Sequence, residues 1–272
     1  MTRGPATAKI NLALVVGPPR PDGKHELATV YQRVALSDRV AIERADRLRV
    51  DGYADDTIVR RALESLAAEA GTEPAWRAHV TKRIPVAAGL GGGSSDAATA
   101  LRLANATLPE PLPADRLHAL AATLGADVPF FLTDGPQLGV GDGTELRPLD
   151  LPQDYAVLLL VPREVAKEAT ATVYRAFDER DGPADFDERR GALLGAIAGV
   201  RRPEDFAAFP RNDLASSTLS AQLEEFGAFR ADVTGAGPAV YGLFPDEGHA
   251  RAAARALRGA GRTIVTTACW YG

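Results

Sequence analysis

The sequence predicts an α+β fold divided between two domains, and three observations lead to this prediction. The chain has 272 residues, and at roughly 150 residues per domain this length suits one large or two modest domains. Segments with strand and helix patterns follow one another without the regular alternation of a parallel α/β sheet. An apolar strand near residue 155 opens a second half after a proline-rich junction at 148–154. We therefore expect domains of residues 1–150 and 151–272.

Composition and charge exclude several classes of protein. Hydrophobic residues make up 46% and charged residues 25% of the chain, which is typical of globular proteins. A net charge of −5 argues against broad nucleic-acid binding, although a local basic patch can still hold an anionic small molecule. The longest apolar stretch, 155–161, is far shorter than the roughly 20 residues that span a bilayer.

The cellular location is predicted from cysteine usage and from the first residues. A single cysteine, Cys269, allows no disulfide within the chain and fits a reducing compartment. The first ten residues contain no apolar signal core. We expect a cytoplasmic protein with small-molecule substrates and no membrane or nucleic-acid partner, and the sequence leaves its oligomeric state open.

Hydrophobic periodicity predicts the elements of the first half. Apolar residues from Ile58 to Leu66 have helical spacing, and Gly71 ends that pattern. Gly125 ends a later helical pattern in the same way. The predicted elements are strands over 6–16, 27–36 and 40–50, a helix over 55–70, a strand over 76–82, and helices over 97–106 and 113–124.

The second half repeats this mixture. A charged stretch that contains proline and glycine, residues 178–190, predicts a solvated loop. The predicted elements are a strand over 155–161, helices over 170–178, 189–200 and 216–226, a strand over 228–233, a glycine turn over 234–238, a strand over 239–244, a helix over 247–258 and a strand over 263–268.

The least ordinary segment is the glycine-rich stretch 85–96, PVAAGLGGGSSD. Glycine lets backbone approach a ligand closely, and successive N–H groups followed by a helix start form an anion site. The alternative is a flexible turn in which Ser94 or Ser95 caps the helix. The segment lacks the lysine of a Walker A loop, and no suitable acidic residue supports a dinucleotide fingerprint. Its density of glycines at a helix start favours phosphate binding.

Three separated motifs resemble the GHMP small-molecule kinases. They are PATAKINL at 5–12, PVAAGLGGGSS at 85–95 and TGAGP at 234–238. Two further segments, RPDGKHEL at 20–27 and LGADVPF at 124–130, resemble the members that phosphorylate a cytidine diphosphate polyol. The motifs occur in the right order along the whole chain.

The resemblance implies a fold and a reaction. The N-terminal domain would be similar to ribosomal protein S5 and the C-terminal domain would be ferredoxin-like, with the active site in the cleft between them. The implied reaction transfers the γ-phosphoryl group of ATP to the 2-hydroxyl of 4-diphosphocytidyl-2-C-methyl-D-erythritol, in non-mevalonate isoprenoid biosynthesis. Mg²⁺ is expected as the counter-ion of ATP, and no residues are assigned as a dedicated metal site. The alternatives are a kinase for another small alcohol, of the homoserine or mevalonate type, and a non-catalytic ligand-binding relative.

The same resemblance implies the catalytic and ATP-binding residues. Asp127, on a turn after Gly125, would be the general base, and Lys9 would keep it ionised and oriented. Asn11 has the same strand parity as Lys9, so both side chains are expected on one face. The ATP-binding residues would be Pro85, Val86, Ala87, Ala88, Gly89, Leu90, Gly91, Gly92, Gly93, Ser94 and Ser95.

The cytidine end departs from the family pattern. Lys24 stands where the family has an aromatic residue that stacks on cytosine, so it would lie over the base by a cation–π contact or meet the diphosphate. Tyr174 matches the second aromatic face, and His25 the residue that binds the base edge. The expected substrate-binding residues are Asn11, Lys24, His25, Thr170, Tyr174, Gly235 and Gly237.

Overall fold

The computed structural model describes residues 1–53, 57–163 and 169–271. Within these ranges the chain forms ten strands, seven α-helices and two short 3₁₀ helices, at Pro129–Leu132 and Pro203–Ala208. The strands are β1 Thr2–Pro19, β2 His25–Arg44, β3 Arg49–Asp51, β4 Trp76–Thr81, β5 Gln137–Gly141, β6 Glu145–Pro148, β7 Ala156–Pro162, β8 Arg230–Val233, β9 Val240–Phe244 and β10 Gly261–Cys269. The helices are α1 Thr57–Glu69, α2 Gly92–Asn105, α3 Ala114–Leu124, α4 Thr170–Glu179, α5 Phe186–Gly199, α6 Thr218–Glu225 and α7 Glu247–Ala256.

The strands join into one mixed sheet, which confirms the α+β fold. Its order is β3-β4-β2-β10-β7-β9-β8, with β1 and β5 also paired to β2 and β6 paired to β5. Strand β10 pairs along most of its length with β7 and, at Ala268 and Cys269, with β2. The last strand of the chain therefore connects the strands of the first half to those of the second.

Buried side chains from both halves form a common core. Ile10 and Leu12 of β1 pack in one cluster with Leu159 of β7 and Tyr241 of β9. Leu151, inside the predicted domain junction, is buried in the same cluster. A second cluster lies within the first half and packs α1, α2 and α3 on the sheet around Trp76. No helix in the described ranges is both long enough and apolar enough to cross a bilayer.

Most predicted elements are present, and the differences have physical causes. The predicted strands 27–36 and 40–50 were wrong as two units, because β2 continues from His25 to Arg44. The polar residues in its middle remain paired: Ser37 pairs with Thr7 of β1, and Arg39 with Thr81 of β4. Backbone pairing on both sides thus extends the strand where side-chain hydrophobicity falls.

Two further predictions need correction. The helix expected over 97–106 begins at Gly92, so the last glycines of the loop already belong to α2. The stretch 178–190 is not entirely a loop, because α4 extends to Glu179 and α5 begins at Phe186. Buried Phe186 packs in the shared core, which is a tertiary contact that local composition does not reveal.

Candidate active site

The glycine-rich loop is fixed between the two halves of the molecule. The Lys9 amide of β1 donates to the Leu90 carbonyl at 3.0 Å, and the Ala239 amide donates to the Ala88 carbonyl at 3.1 Å. The loop residues 85–91 connect β4, through a short segment, to the start of α2. Because backbone groups from distant parts of the chain hold it on two sides, the loop is a fixed feature of the site.

Two of its glycines are required by close approach. Gly89 has φ +83°, and a Cβ there would lie 2.6 Å from the Thr234 carbonyl oxygen. Gly91 has φ +70°, and its Cβ would lie 2.9 Å from Lys9 Cγ. A side chain at either position would push apart the loop, the turn 234–238 and β1. The backbone can therefore wrap closely around a ligand at the N-terminus of α2.

A cleft of about 500 Å³ runs along this loop. Its walls include residues 85–94, together with Lys9, Asn11, Asp127, Thr170, Tyr174, Gly235 and Gly237. The structure thus brings together most of the residues that were predicted for the site. Ser95 is only 1% exposed and lies outside the cleft wall, since its position in the first turn of α2 directs it into the protein.

Lys9 and Asp127 form an ion pair in the wall of the cleft. Lys9 Nζ lies 3.3 Å from Asp127 Oδ2 and donates to Asn11 Oδ1 at 2.7 Å. The lysine side chain is 4% exposed, whereas that of the aspartate is 31% exposed. The carboxylate is therefore open to a ligand, and a buried cation lies behind it.

Asn11 connects this pair to the C-terminal glycine turn. Its Nδ2 donates to Thr29 Oγ1 at 2.8 Å, and its main-chain N–H donates to Thr234 Oγ1 at 3.2 Å. The Thr234 hydroxyl in turn donates to Asn11 Oδ1 at 3.3 Å. As expected from strand parity, Asn11 and Lys9 meet on one face of β1, and their contacts orient the ammonium.

Sequence reasoning missed Tyr31, which lies beside the ion pair. Burial, together with the nearby Asp127 carboxylate, raises the pKa of Tyr31 well above its usual value. The Lys9 ammonium lies 5.7 Å from the centre of its ring. A Cβ at Gly143 would lie 2.8 Å from the Tyr31 hydroxyl, so glycine makes room for the phenol. The sequence showed only an aromatic residue in a strand, which is ordinarily part of a core.

Lys82 is a second residue that sequence reasoning missed. Its ammonium donates to Asp38 Oδ2 at 2.5 Å and to Asp96 Oδ2 at 2.6 Å, and the residue lines the cleft below Gly92. Burial lowers the pKa of Lys82, but the two carboxylates outweigh this and leave it raised. The Asp38 carboxylate also accepts from the Ile84 amide at 2.8 Å, so this cluster fixes the approach to the loop.

Of the expected base-binding residues, Tyr174 lines the cleft, whereas His25 packs against it outside the cleft wall. Tyr174 of α4 is half-buried in the wall of the cleft. Burial, and to a lesser extent the nearby Asp127 carboxylate, raises the pKa of Tyr174 to about 12. The His25 ring packs against Tyr174 with 4.8 Å between ring centres, and its Nε2 lies 2.9 Å from Asp178 Oδ1. His25 is only 9% exposed and supports Tyr174 more than it faces the cleft.

Lys24 contacts a carboxylate of the protein. Its ammonium forms an ion pair with Asp142 Oδ2, on the turn between β5 and β6. Asp142 belongs to the cleft wall, whereas the Lys24 side chain is 48% exposed. Partial burial raises the pKa of Asp142, but hydrogen bonds from Lys24 and Thr144 outweigh it and leave that pKa lowered.

No metal-binding cluster is found in the described part of the chain. Across residues 1–53, 57–163 and 169–271, no group of three or more His, Cys, Asp or Glu side chains could hold an ion. Of the carboxylates near the loop, Asp38 and Asp96 both contact the Lys82 ammonium.

Comparisons with known proteins identify the family of the chain. Family models match residues 57–135 as the GHMP kinases N terminal domain and residues 188–263 as GHMP kinases C terminal. A crystal structure of 4-(cytidine 5'-diphospho)-2C-methyl-D-erythritol kinase is 35% identical, with a TM-score of 0.79, and the match covers 98% of this chain and 99% of that one. The mevalonate kinase of Methanococcus jannaschii shares the fold, with a TM-score of 0.75 at 13% identity, over 98% of both chains.

Two curated relatives define the family more closely. The 4-diphosphocytidyl-2-C-methyl-D-erythritol kinase of Nocardioides sp. (strain ATCC BAA-499 / JS614) is 39% identical over 97% of this chain and 95% of its own. That of Geobacter sulfurreducens is 36% identical over 93% of each chain. The fold and the cleft thus define an ATP-dependent small-molecule kinase of the GHMP class. Within that class, the chain belongs to the family of 4-diphosphocytidyl-2-C-methyl-D-erythritol kinases.

Proposed function

We propose that this chain transfers the γ-phosphoryl group of ATP to the 2-hydroxyl of 4-diphosphocytidyl-2-C-methyl-D-erythritol, a step of non-mevalonate isoprenoid biosynthesis. The observation that carries the proposal is the Lys9–Asp127 ion pair, with 3.3 Å between Nζ and Oδ2, in a cleft that also contains the glycine loop and Tyr174. Relatives that are 39% and 36% identical carry the name of this kinase.

The glycine loop holds the phosphates of ATP. Its left-handed glycines and the start of α2 present N–H groups to an anion. Gly235 and Gly237, on the turn that approaches Gly89, close the same cleft from the other half. Mg²⁺ would be held by the phosphates of ATP and would neutralise part of their charge, and no residues of the chain are assigned to bind it.

Asp127 and Lys9 carry the chemistry that the protein must supply. Asp127 accepts the proton of the substrate hydroxyl. The hydroxyl oxygen bonds to the γ-phosphorus of ATP as the bond from that phosphorus to ADP breaks. Lys9 orients the carboxylate and, from the wall of the cleft, offsets negative charge that develops during transfer. Tyr31 lies beside the Asp127 carboxylate and limits the positions that this carboxylate can take.

The cytidine end is built on α4 and the start of β2. Tyr174 offers a ring face to cytosine, and His25 with Asp178 keeps that ring in place. Thr170, in the first turn of α4, lines the same end. We place the enzyme in the cytoplasm, where ATP is available and Cys269 stays reduced.

The test is ADP release with ATP and magnesium in the presence of one candidate alcohol at a time. The candidates are 4-diphosphocytidyl-2-C-methyl-D-erythritol, methylerythritol phosphate, homoserine and mevalonate. We expect ADP with the cytidine substrate only, and its loss in Asp127→Asn. ADP with homoserine or mevalonate would show a kinase for another alcohol, and no turnover with any of them would contradict the proposal.

A further inference from the structure

The wall of the cleft contains a carboxylate that the proposed reaction does not use. Asp142 lines the cleft on the turn between β5 and β6, and its side chain is only 13% exposed. Its Oδ1 accepts from the Thr144 hydroxyl at 2.6 Å and from the Thr144 amide at 3.2 Å. The carboxylate is therefore held in one orientation, and Oδ2 faces Lys24.

An ionised carboxylate at this place is unfavourable for the substrates. ATP and a cytidine diphosphate both bring phosphate anions into the cleft that Asp142 lines, and like charges repel more strongly where water is partly excluded. The lowered pKa of Asp142 means that it does not escape this repulsion by taking up a proton near neutral pH. Another group must balance its charge.

Lys24 is the cation in contact with it. Its ammonium reaches Asp142 across 118 positions of sequence, from the turn between β1 and β2. Arg20, on the same turn, contacts Glu26 at 2.6 Å and Asp22 at 3.7 Å, and it acts on Asp142 only at longer range. Lys24, which stands where the family has an aromatic residue, thus pairs with a carboxylate in the cleft wall.

We propose that Lys24 is a positioning residue for the diphosphate substrate, which acts by neutralising Asp142 so that the wall of the cleft admits an anion. The inference rests on the proposed function, because it concerns how the same site accepts its cytidine diphosphate substrate. It differs from direct recognition, in which the ammonium itself would contact the base or the diphosphate. Lys24 and Asp142 therefore act as a pair, and the ammonium is needed only while the carboxylate is present.

A double-substitution experiment separates these possibilities. Lys24→Met should raise the KM for 4-diphosphocytidyl-2-C-methyl-D-erythritol about tenfold, the ratio that corresponds to about 1.4 kcal/mol, with kcat unchanged. Asp142→Asn alone should change that KM by less than about threefold, because it removes the charge that needs balancing. The double variant Lys24→Met/Asp142→Asn should return to within about threefold of the unaltered enzyme.

The matched control is Arg116→Met, which removes the same charge from an exposed pair with Glu69 outside the cleft wall. Arg116→Met should leave the KM for 4-diphosphocytidyl-2-C-methyl-D-erythritol unchanged. This result separates a local effect of Lys24 from an effect of net charge. Raising the salt concentration should reduce the effect of Lys24→Met, because ions screen the repulsion between the Asp142 carboxylate and the substrate phosphates.

Three outcomes would overturn the inference. An unchanged KM in Lys24→Met would show that the pair is irrelevant to binding. A double variant as poor as Lys24→Met alone would show that the ammonium contacts the substrate directly. Absence of ADP with the cytidine substrate in the unaltered enzyme would refute the proposed function, and this inference with it. That last result is seen before any variant is made, so the two failures are distinguishable.

Discussion

At the scale of single residues, the wall of the cleft combines the accessible Asp127 carboxylate with the buried Lys9 ammonium. Asp127→Asn keeps the shape of the side chain but removes its capacity to take a proton. We expect kcat to fall by roughly 100- to 10,000-fold while ATP still binds, since the glycine loop is untouched. Steady-state ADP release and calorimetric titration with a non-hydrolysable ATP analogue measure the two quantities. Asp134→Asn, at an exposed position in the same segment, is the control and should keep its activity.

The contribution of Lys9 should depend on Asp127. Its ammonium contacts Asn11 and Asp127 and is nearly inaccessible, so it acts on the reaction largely through the carboxylate. We predict that Lys9→Met lowers kcat by roughly 100-fold or more in the unaltered enzyme, and by less than about tenfold in the Asp127→Asn background. Additive losses in kcat would instead show that Lys9 and Asp127 act on separate parts of the reaction.

At the scale of elements, the glycine loop contains positions that look alike in sequence and differ in space. Gly89 has φ +83° and faces the Thr234 carbonyl at 2.6 Å from an ideal Cβ, whereas a Cβ at Gly93 would meet only Ile58 Cγ2 at 3.6 Å. Gly89→Ala should lower the free energy of unfolding by about 1–3 kcal/mol because of strain and overlap. Gly93 lies within α2, so Gly93→Ala should leave the free energy of unfolding unchanged or raise it by up to about 1 kcal/mol.

Urea unfolding followed by circular dichroism measures both variants under the same conditions. Equal free energies of unfolding for Gly89→Ala and Gly93→Ala would mean that the turn 234–238 can move away from residue 89 without loss of stability. Its close approach to Gly89 would then not be a fixed feature. A loss confined to Gly89→Ala would show that the loop and the turn constrain one another.

The elements also show which parts of the site can be predicted from the sequence. The loop and the shared face of Lys9 and Asn11 follow from local patterns: a glycine run before a helix, and strand parity. Asp127 was predicted from its motif on a turn, and the structure puts it beside Lys9. Tyr31, Lys82 and Asp142 were missed because their roles come from contacts between distant segments. Lys24 and Asp142, for example, are 118 positions apart.

The same reason explains the errors in the fold. Helix and strand periodicity located most helices and most buried strands, but it missed β5, whose five residues are all buried. It divided β2 at the polar residues near Ser37, where pairing with β1 and β4 maintains the strand. It also ended the loop too late, since α2 already begins at Gly92. Tertiary pairing decides these boundaries.

At the scale of the whole molecule, the cleft exists because both halves contribute to it. The loop and the Lys9–Asp127 pair come from the first half, and Tyr174 and the turn 234–238 come from the second. Strand β10 pairs with strands of each half, and a core cluster draws on both. The division at residue 150 that we propose therefore separates two units that share a sheet and a core.

This sharing predicts that the protein unfolds as one unit. Trp76 is completely buried in the first half, so its fluorescence in a Trp270→Phe variant follows that half, whereas far-UV circular dichroism also follows α4 to α7. We expect both signals to give the same urea midpoint. A non-hydrolysable ATP analogue at about 100 times its dissociation constant should stabilise both by about 2.7 kcal/mol. Separate midpoints would mean that the two halves unfold independently. A shift by the ATP analogue in the fluorescence midpoint alone would mean that the first half holds ATP by itself.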